Sequence, residues 1–554
     1  MSRWLSLFAV LLICLPLRAQ EVRAPERIFV NGKIWTGDER RPLARALAVR
    51  GDRILAVGED REIRALATAE TSIFDLRGRL VVPGFNDAHW HLADADELDL
   101  SDVKNVAELQ KRVTAYAAAH PAATWVTGRG WGYAVFPDRV PRRKYLDALA
   151  IDRPVFLWER DGHMALANSR ALAAANVTRD TPDPEHGRIE READGELTGE
   201  VKESAIGLIR RHVPERTPEE RYQNLHLTMR RAASYGLTSV QNASPLSDAD
   251  LVALNRVLAE GAVTLRFYLS VPFRKNATPA DLAAYKSRRE NYRGPLVKFG
   301  SAKGFLDGTV DARTASMFEP YTDGSIGIPM WTAEELNEAV ALYDRENFQI
   351  MLHAIGDKAI HLALDAYEQV GKMNGAKDRR HRIEHIEVPL LADLPRFKQL
   401  GVIASTQAIF ANPDATSLEH YAVLLGPARD AHANAFKLFD DAGAVQAFGS
   451  DYPVFSMEVL PAIYAAVARR TPAGQPAGGW YPQNRISVEA ALRHFTRDSA
   501  YASFDENLKG TLAPGKLADF VVLSEDILSG PPERLLKTKV LLTVMGGRDT
   551  YRPQ

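Results

Sequence analysis

The chain carries one cysteine among its 554 residues, Cys14, and it falls inside an N-terminal apolar stretch. Disulfides, thiol nucleophiles and cysteine-ligated zinc are thereby excluded as the basis of the fold or its chemistry. An excess of one charge is lacking too, since 69 Lys and Arg stand against 71 Asp and Glu, a formal net charge of -2. With no dense basic patch beside that balance, nucleic acid is not an expected partner. Low-complexity tracts are absent, and no apolar run reaches the roughly 17 to 25 residues of a membrane span. A functional site in this chain has to be assembled from His, Asp, Glu and Lys.

The longest apolar run opens the chain. Arg3 precedes Trp4 to Leu15, and Leu17-Arg18-Ala19 offers a small residue before a cut. This is the layout of a signal peptide over residues 1–19, removed on export to a periplasm or outside the cell. Stable membrane insertion is not expected after cleavage.

Residues 20–82 and 505–554 share a texture of short alternating strands and turn signals such as Asn31-Gly32 and Arg50-Gly51-Asp52. They are expected to pair into one composite β-sandwich. Between them, residues 83–504 alternate short apolar runs with helix-like patterns. The opening strand at Leu80 to Val82 leads through Pro83-Gly84 into His89 and His91. LTSVQNA, LRFYLSV, VKFGSAKGFLDG, FQIMLHAIGD, RIEHIEV, VIASTQA and VQAFGSDYPV follow it. Eight such βα units predict an α/β fold, a distorted (β/α)8 TIM barrel. The interval 93–226 is longer than one connecting helix requires and is read as an inserted α/β lid subdomain after the first strand.

Active sites of this architecture gather at the C-terminal strand ends. There the first strand offers His89 and His91, the fourth Lys303 and Asp307, the fifth His353, the sixth His385 and the eighth Asp451. Standing alone, His353 reads as a core histidine, His385 as half of an ion pair with Glu384 or Arg382, Asp451 as a helix cap, and Lys303 as a surface lysine. Together on one rim they point to a metal site. Asn242 stands at a strand end where an acidic residue would be natural.

The motifs PGFNDAHWHL, DGHMALANSRAL, KGFLDGTVDARTASMFEPY, LHAIGDKAI, RIEHIE, FGSDYPV and GTLAPGKLADFVVL span nearly the whole chain. In them the chain resembles the amidohydrolase superfamily of metal-dependent hydrolases (amidohydrolase family 3), in the branch resembling N-substituted formamide deformylase. The resemblance implies that His89, His91 and Asp451 hold one divalent metal and that His353 and His385 hold a second. Lys303, as a carbamate, would bridge the two, with Lys298 as its rival on the same strand. Ligands of nitrogen and oxygen without sulfur suit zinc and also admit manganese, iron or nickel.

The same resemblance implies attack on a carbonyl by a metal-activated hydroxide, with Asp451 as proton shuttle. It makes His163 a substrate-side catalytic histidine that stabilises the oxyanion or holds the substrate. Trp131, Trp158, Arg313, Gln407 and Tyr452 are the candidate substrate-binding residues, Glu319 is a weaker one, and Trp90 is expected to pack. The expected substrate is a small amide of the N-acyl or N-formyl kind. A cyclic-amide hydrolase, an esterase or lactonase on the same site, and a binding protein that keeps the barrel stay open as alternatives. The oligomeric state stays open as well, with a homodimer among the options.

Overall fold

The computed structural model describes residues 24–93, 97–413 and 421–553, and the signal peptide expected at 1–19 lies outside them. Its centre is an eight-stranded parallel sheet rolled into a nearly closed barrel. The strands are β1 (Phe85–Trp90), β2 (Leu237–Asn242), β3 (Arg266–Pro272), β4 (Val297–Phe305), β5 (Gln349–Ala354), β6 (Arg382–His385), β7 (Ile403–Gln407) and β8 (Gln446–Gly449), paired in chain order. Each contains or adjoins one of the apolar runs predicted for it. Every residue of β1, β2 and β5 to β8 is buried. Helices cover the outer face and side chains fill the inner one, which is why the strands read as runs without polar alternation.

The helices begin where local chemistry tells them to. Ser247, Thr278 and Thr332 each accept a hydrogen bond from the backbone three residues on, and the Asp or Glu there reaches back to the cap. These capping boxes satisfy N–H groups that a helix cannot pair internally.

Closure of the barrel is concentrated at its mouth. His91 N–H donates to the Tyr452 carbonyl at 2.9 Å, and Asp451 N–H donates to the His89 carbonyl at 2.7 Å. Gly449 permits this approach, because a Cβ there would lie 2.4 Å from His89 N. At the other end of β1, a Cβ on Gly84 would meet Thr238 Oγ1 at 2.3 Å, so the Pro83-Gly84 step leaves room for the Thr238 side chain of β2. The seam between first and last strands therefore coincides with His89, His91 and Asp451.

Below the barrel, strand Leu80–Pro83 pairs antiparallel with Phe520–Leu523, joining N- and C-terminal segments in one six-stranded sheet. A four-stranded sheet built from Arg27–Val30, Ala46–Arg50, Arg53–Gly58 and Ser72–Asp75 packs on it. Phe29 and Phe520 meet edge to face between the two sheets at 4.9 Å. The buried Arg266 of β3 grips Asp519 through two hydrogen bonds, at 2.7 and 2.9 Å, and ties the barrel to this layer.

Above the barrel, residues 98–203 form a second six-stranded sheet, running from Leu98–Asp99 to Gly187–Arg191, with its own core of Leu109, Val113, Trp131, Leu157 and Leu166. Among the described residues no helix is long and apolar enough to cross a membrane.

Candidate metal centre and its cavity

His89 and His91 leave β1 on the same side, two residues apart. Their Nε2 atoms lie 3.2 Å from each other, and Asp451 Oδ1 lies 3.4 Å and 2.9 Å from them respectively. One donor atom from each of the three residues falls within 4.8 Å of the others, a spacing that can hold a metal ion. The His385 ring stands 4.7 Å from that of His89 and 4.5 Å from that of His353. Burial, the largest cause, pulls His89, His353 and His385 well below the usual imidazole range and lowers His91 as well. Neutral imidazoles with free lone pairs are the form that binds a metal.

Each ring is held from behind. His89 Nδ1 meets Glu384 Oε2 at 2.6 Å, His91 Nδ1 meets Ser244 Oγ at 2.6 Å, and His385 Nδ1 meets Gln407 Oε1 at 3.0 Å. Such partners fix ring orientation, and with it the nitrogen left for the metal. Asn242 belongs to the same construction, because its Oδ1 accepts from Ser244 N–H at 3.2 Å and so presents the hydroxyl that holds His91.

Backbone conformation turns the remaining groups inward. His385, Ile386 and Asp451 have φ of 75°, 56° and 58°. These left-handed conformations are costly for side chains with a Cβ and concentrate at functional sites. At His385 the turn separates it from Glu384, which faces Arg382 and His89 instead. The ion pair considered for His385 is thus made by its neighbour.

Lys303 lines the same cavity as His91, His353 and His385. The residue is 3% exposed and its Nζ has no hydrogen-bond partner. Burial pushes it down to about 8, against the opposing pull of Glu384 and Asp451. An isolated buried ammonium is costly. A lysine held this way suits conversion into an anion that two cations would share, so the donor set fits a divalent metal centre. Lys298 is occupied elsewhere, donating to the Ser503 carbonyl at 2.6 Å and pairing with Asp505.

The insertion contributes His163, whose ring lies 4.9 Å from that of His353. His163 Nδ1 meets Glu203 Oε2 at 2.8 Å, and Thr314 Oγ1 donates to Glu203 Oε1 at 2.6 Å. Burial works against the charged ring, but Glu203, Asp161 and Asp307 outweigh it and push His163 up to about 9. A Cβ on Gly308 would sit 2.0 Å from Glu203 Oε1, so the glycine of the Asp-Gly-Thr turn is what lets the insertion reach the barrel.

A cavity of about 1570 Å³ opens over these groups, lined among others by His91, Trp158, His163, Lys303, His353, His385, Phe410, Asp451 and Phe455. Several expected contacts fall outside it. Trp131 is fully buried in the insertion core, its Nε1 donating to the Leu157 carbonyl at 2.8 Å, so it packs there and does not line the cavity. Arg313 turns to the surface and pairs with Asp323 at 3.2 Å. Glu319 is exposed. Tyr452 stacks on Trp90 at 6.3 Å between rings, and Trp90 is buried as expected. Gln407 stands behind His385. Asp307 is a brace: its carboxylate accepts from the N–H groups of Ser316, Ile355 and Gly356 at 2.8 to 3.0 Å, locking the β4 loop to the end of β5.

Glu384, Ser244 and Glu203 were not singled out from the sequence as supports of the site. Glu384 had one legible sign, an acid two residues after an arginine, on the same side of one short buried strand.

A metal-binding rim on a (β/α)8 barrel is shared by many hydrolases, and comparison with known proteins decides among them. The model of the amidohydrolase family matches residues 72–551. The chain belongs to the amidohydrolase family. It is 32% identical over 541 residues to Protein LONG AFTER FAR-RED 3 of Arabidopsis thaliana, covering 95% of this chain and 91% of that one. It is 27% identical to the N-substituted formamide deformylase of Arthrobacter pascens, over 94% and 97% of the two chains. Among solved structures, an uncharacterized metal-dependent hydrolase from Pyrococcus furiosus superposes with a TM-score of 0.69 at 27% identity, over 91% of this chain and all of that one. This amidohydrolase is therefore an enzyme, a metal-dependent hydrolase of amide-type carbon–nitrogen bonds.

Proposed function

We propose that this amidohydrolase cleaves the C–N bond of an N-acyl or N-formyl amide. We assign one divalent metal to His89, His91 and Asp451 and a second to His353 and His385, with Lys303 between them as a carbamate. Zinc is the metal that best matches this sulfur-free set of imidazoles and carboxylates. The observation that carries the reading is Lys303 Nζ, buried and unpartnered among four imidazoles that burial keeps neutral. When bound, the metals lower the pKa of water and polarise a carbonyl oxygen.

The protein's own groups do the rest. Asp451 accepts the proton released as water adds to the carbonyl carbon and passes it to the amine nitrogen as the C–N bond breaks. His163 is held by Glu203 through Nδ1, which leaves Nε2 to donate to the oxygen that gains charge. Burial of His89, Lys303 and His353 limits bulk water around the reacting carbon. We also propose export through residues 1–19.

The test is a screen of metal-reconstituted protein against N-formyl and N-acyl amides, with cyclic amides, esters and lactones as controls. Turnover of the amides supports the reading. Cleavage confined to esters or lactones sinks it.

A further inference from the structure

Arg129 is a charged group of the cavity with no role in the metal centre. Arg129 extends from the inserted strand Val126–Trp131 into the same cavity that His91 and Asp451 line. A guanidinium presents five N–H donors in a planar fork. Here Nη2 makes a single long hydrogen bond, 3.4 Å to the Arg160 carbonyl, and Nε is buried with no partner. No ion pair to Arg129 occurs among the described residues, although Glu97 lines the same part of the cavity and feels its charge. A Cβ built on Gly162, the residue before His163, would lie 3.7 Å from Arg129 Nη2, which sets the fork beside the turn that carries His163.

Leaving such donors unmet in a part-buried site is costly, and a bidentate acceptor is the group that meets them. Another part of the lining is aromatic. Phe410 and Phe455 pack with rings 5.2 Å apart, Phe410 stacks on His385 at 6.3 Å, and the Arg160 guanidinium lies 5.4 Å from the Phe455 ring. At about 1570 Å³ the cavity exceeds the volume a small amide fills, so orientation has to come from specific anchors.

We infer that Arg129 anchors a free carboxylate on the substrate, and that the preferred substrates are acidic amides whose apolar body lies along Phe410 and Phe455. This rests on the amide-hydrolase reading above and narrows it. Lysine is a poor replacement, since a point charge lacks the fork.

Two matched pairs test it: N-acetylphenylalanine against N-acetylphenethylamine, and N-succinylbenzylamine against N-butyrylbenzylamine. Wild-type enzyme should favour the acid of at least one pair by roughly 10- to 100-fold in kcat/KM, the range of a charge-assisted contact. Arg129→Gln should bring that ratio to about one, and Arg129→Lys should recover only part of it. A wild-type ratio near one, or a ratio unchanged in Arg129→Gln, overturns the assignment. If Arg129 is instead a structural counter-ion of Glu97, Arg129→Gln and Glu97→Gln lower the melting temperature together and the ratio stays put. If no amide is cleaved, the proposed function fails, and calorimetry with the same four compounds on metal-loaded protein still decides the anchor. Tenfold or more weakening of acid binding in Arg129→Gln upholds it, and equal or absent binding in both proteins overturns it.

Discussion

Glu384 accepts from His89 Nδ1 at 2.6 Å while Arg382, fully buried beneath it, donates to both its oxygens at 2.9 and 3.0 Å. Arg382 is in turn fixed by the Ala88 carbonyl at 2.6 Å, Ser405 Oγ at 2.8 Å and Gln241. One buried carboxylate thus joins the floor of the barrel to the ring that faces the metal. Glu384→Gln keeps the shape but removes the charge. Metal affinity should fall about 10- to 100-fold, as for other carboxylates that orient a ligating histidine. The variant should also lose on the order of 3 kcal/mol of stability, because Arg382 is left buried without its counter-charge. Metal titration and thermal melts measure the two effects. Unchanged metal affinity would show that Glu384 serves the fold alone.

Lys303 and Lys298 lie on one strand but face different tasks, and mutation should separate them. Lys303→Ala should lose bound metal, and small carboxylic acids should restore part of the activity by supplying the missing anion. Lys298→Ala should keep its metal and lose stability, because Asp505 is left with Lys509 as its remaining cation and the Ser503 carbonyl loses a donor. Metal analysis of both purified variants reads the outcome. Full occupancy in Lys303→Ala would place the bridge elsewhere.

The barrel was legible because its strands are buried on both faces, so FQIML or VIAST stands out without any partner being known. The rim groups were legible for a related reason: a histidine or lysine closing such a run has few places to point but the mouth. What could not be read was direction inside a packed layer. Trp131 and Trp158 sit on adjacent strands of the insertion, yet one fills its core and the other lines the cavity. Arg313 shares its loop with Thr314, which supports Glu203, but its own φ of 57° carries it to solvent. The tie between His89 and Glu384 spans 295 residues and exists only once β1 and β6 face each other across the barrel.

His163 and Glu203 form a unit supplied by the insertion to a centre built by the barrel. His163→Asn should lower kcat by about 10²-fold or more, the scale of losing one donor at a charge that develops during reaction. Glu203→Gln should lower it less, since the ring stays in place but loses the carboxylate that favours its charged form. Metal content should stay at the wild-type level in both. A drop in bound metal that matches the drop in turnover would make His163 a ligand and not a substrate-side group.

Stability should depend on pH through His494, remote from the cavity. Its ring is buried against Phe448 and lies between Asp440 and Asp498, with nitrogen–oxygen distances of 3.1 and 2.9 Å. Burial opposes the charged form, but the two carboxylates outweigh it and push His494 up to about 9. In the unfolded chain it would titrate near the ordinary imidazole value of 6.5. A raised folded pKa means that folding takes up a proton between these values. The contribution is therefore complete below about 6.5 and disappears as pH rises through about 9, a loss on the order of a few kcal/mol. Thermal melts of the wild-type protein from pH 6 to pH 10 should show this decline, and His494→Gln should be less stable at pH 6 with a flatter profile. A variant whose melting temperature falls in parallel with wild type across that range would remove His494 as the cause.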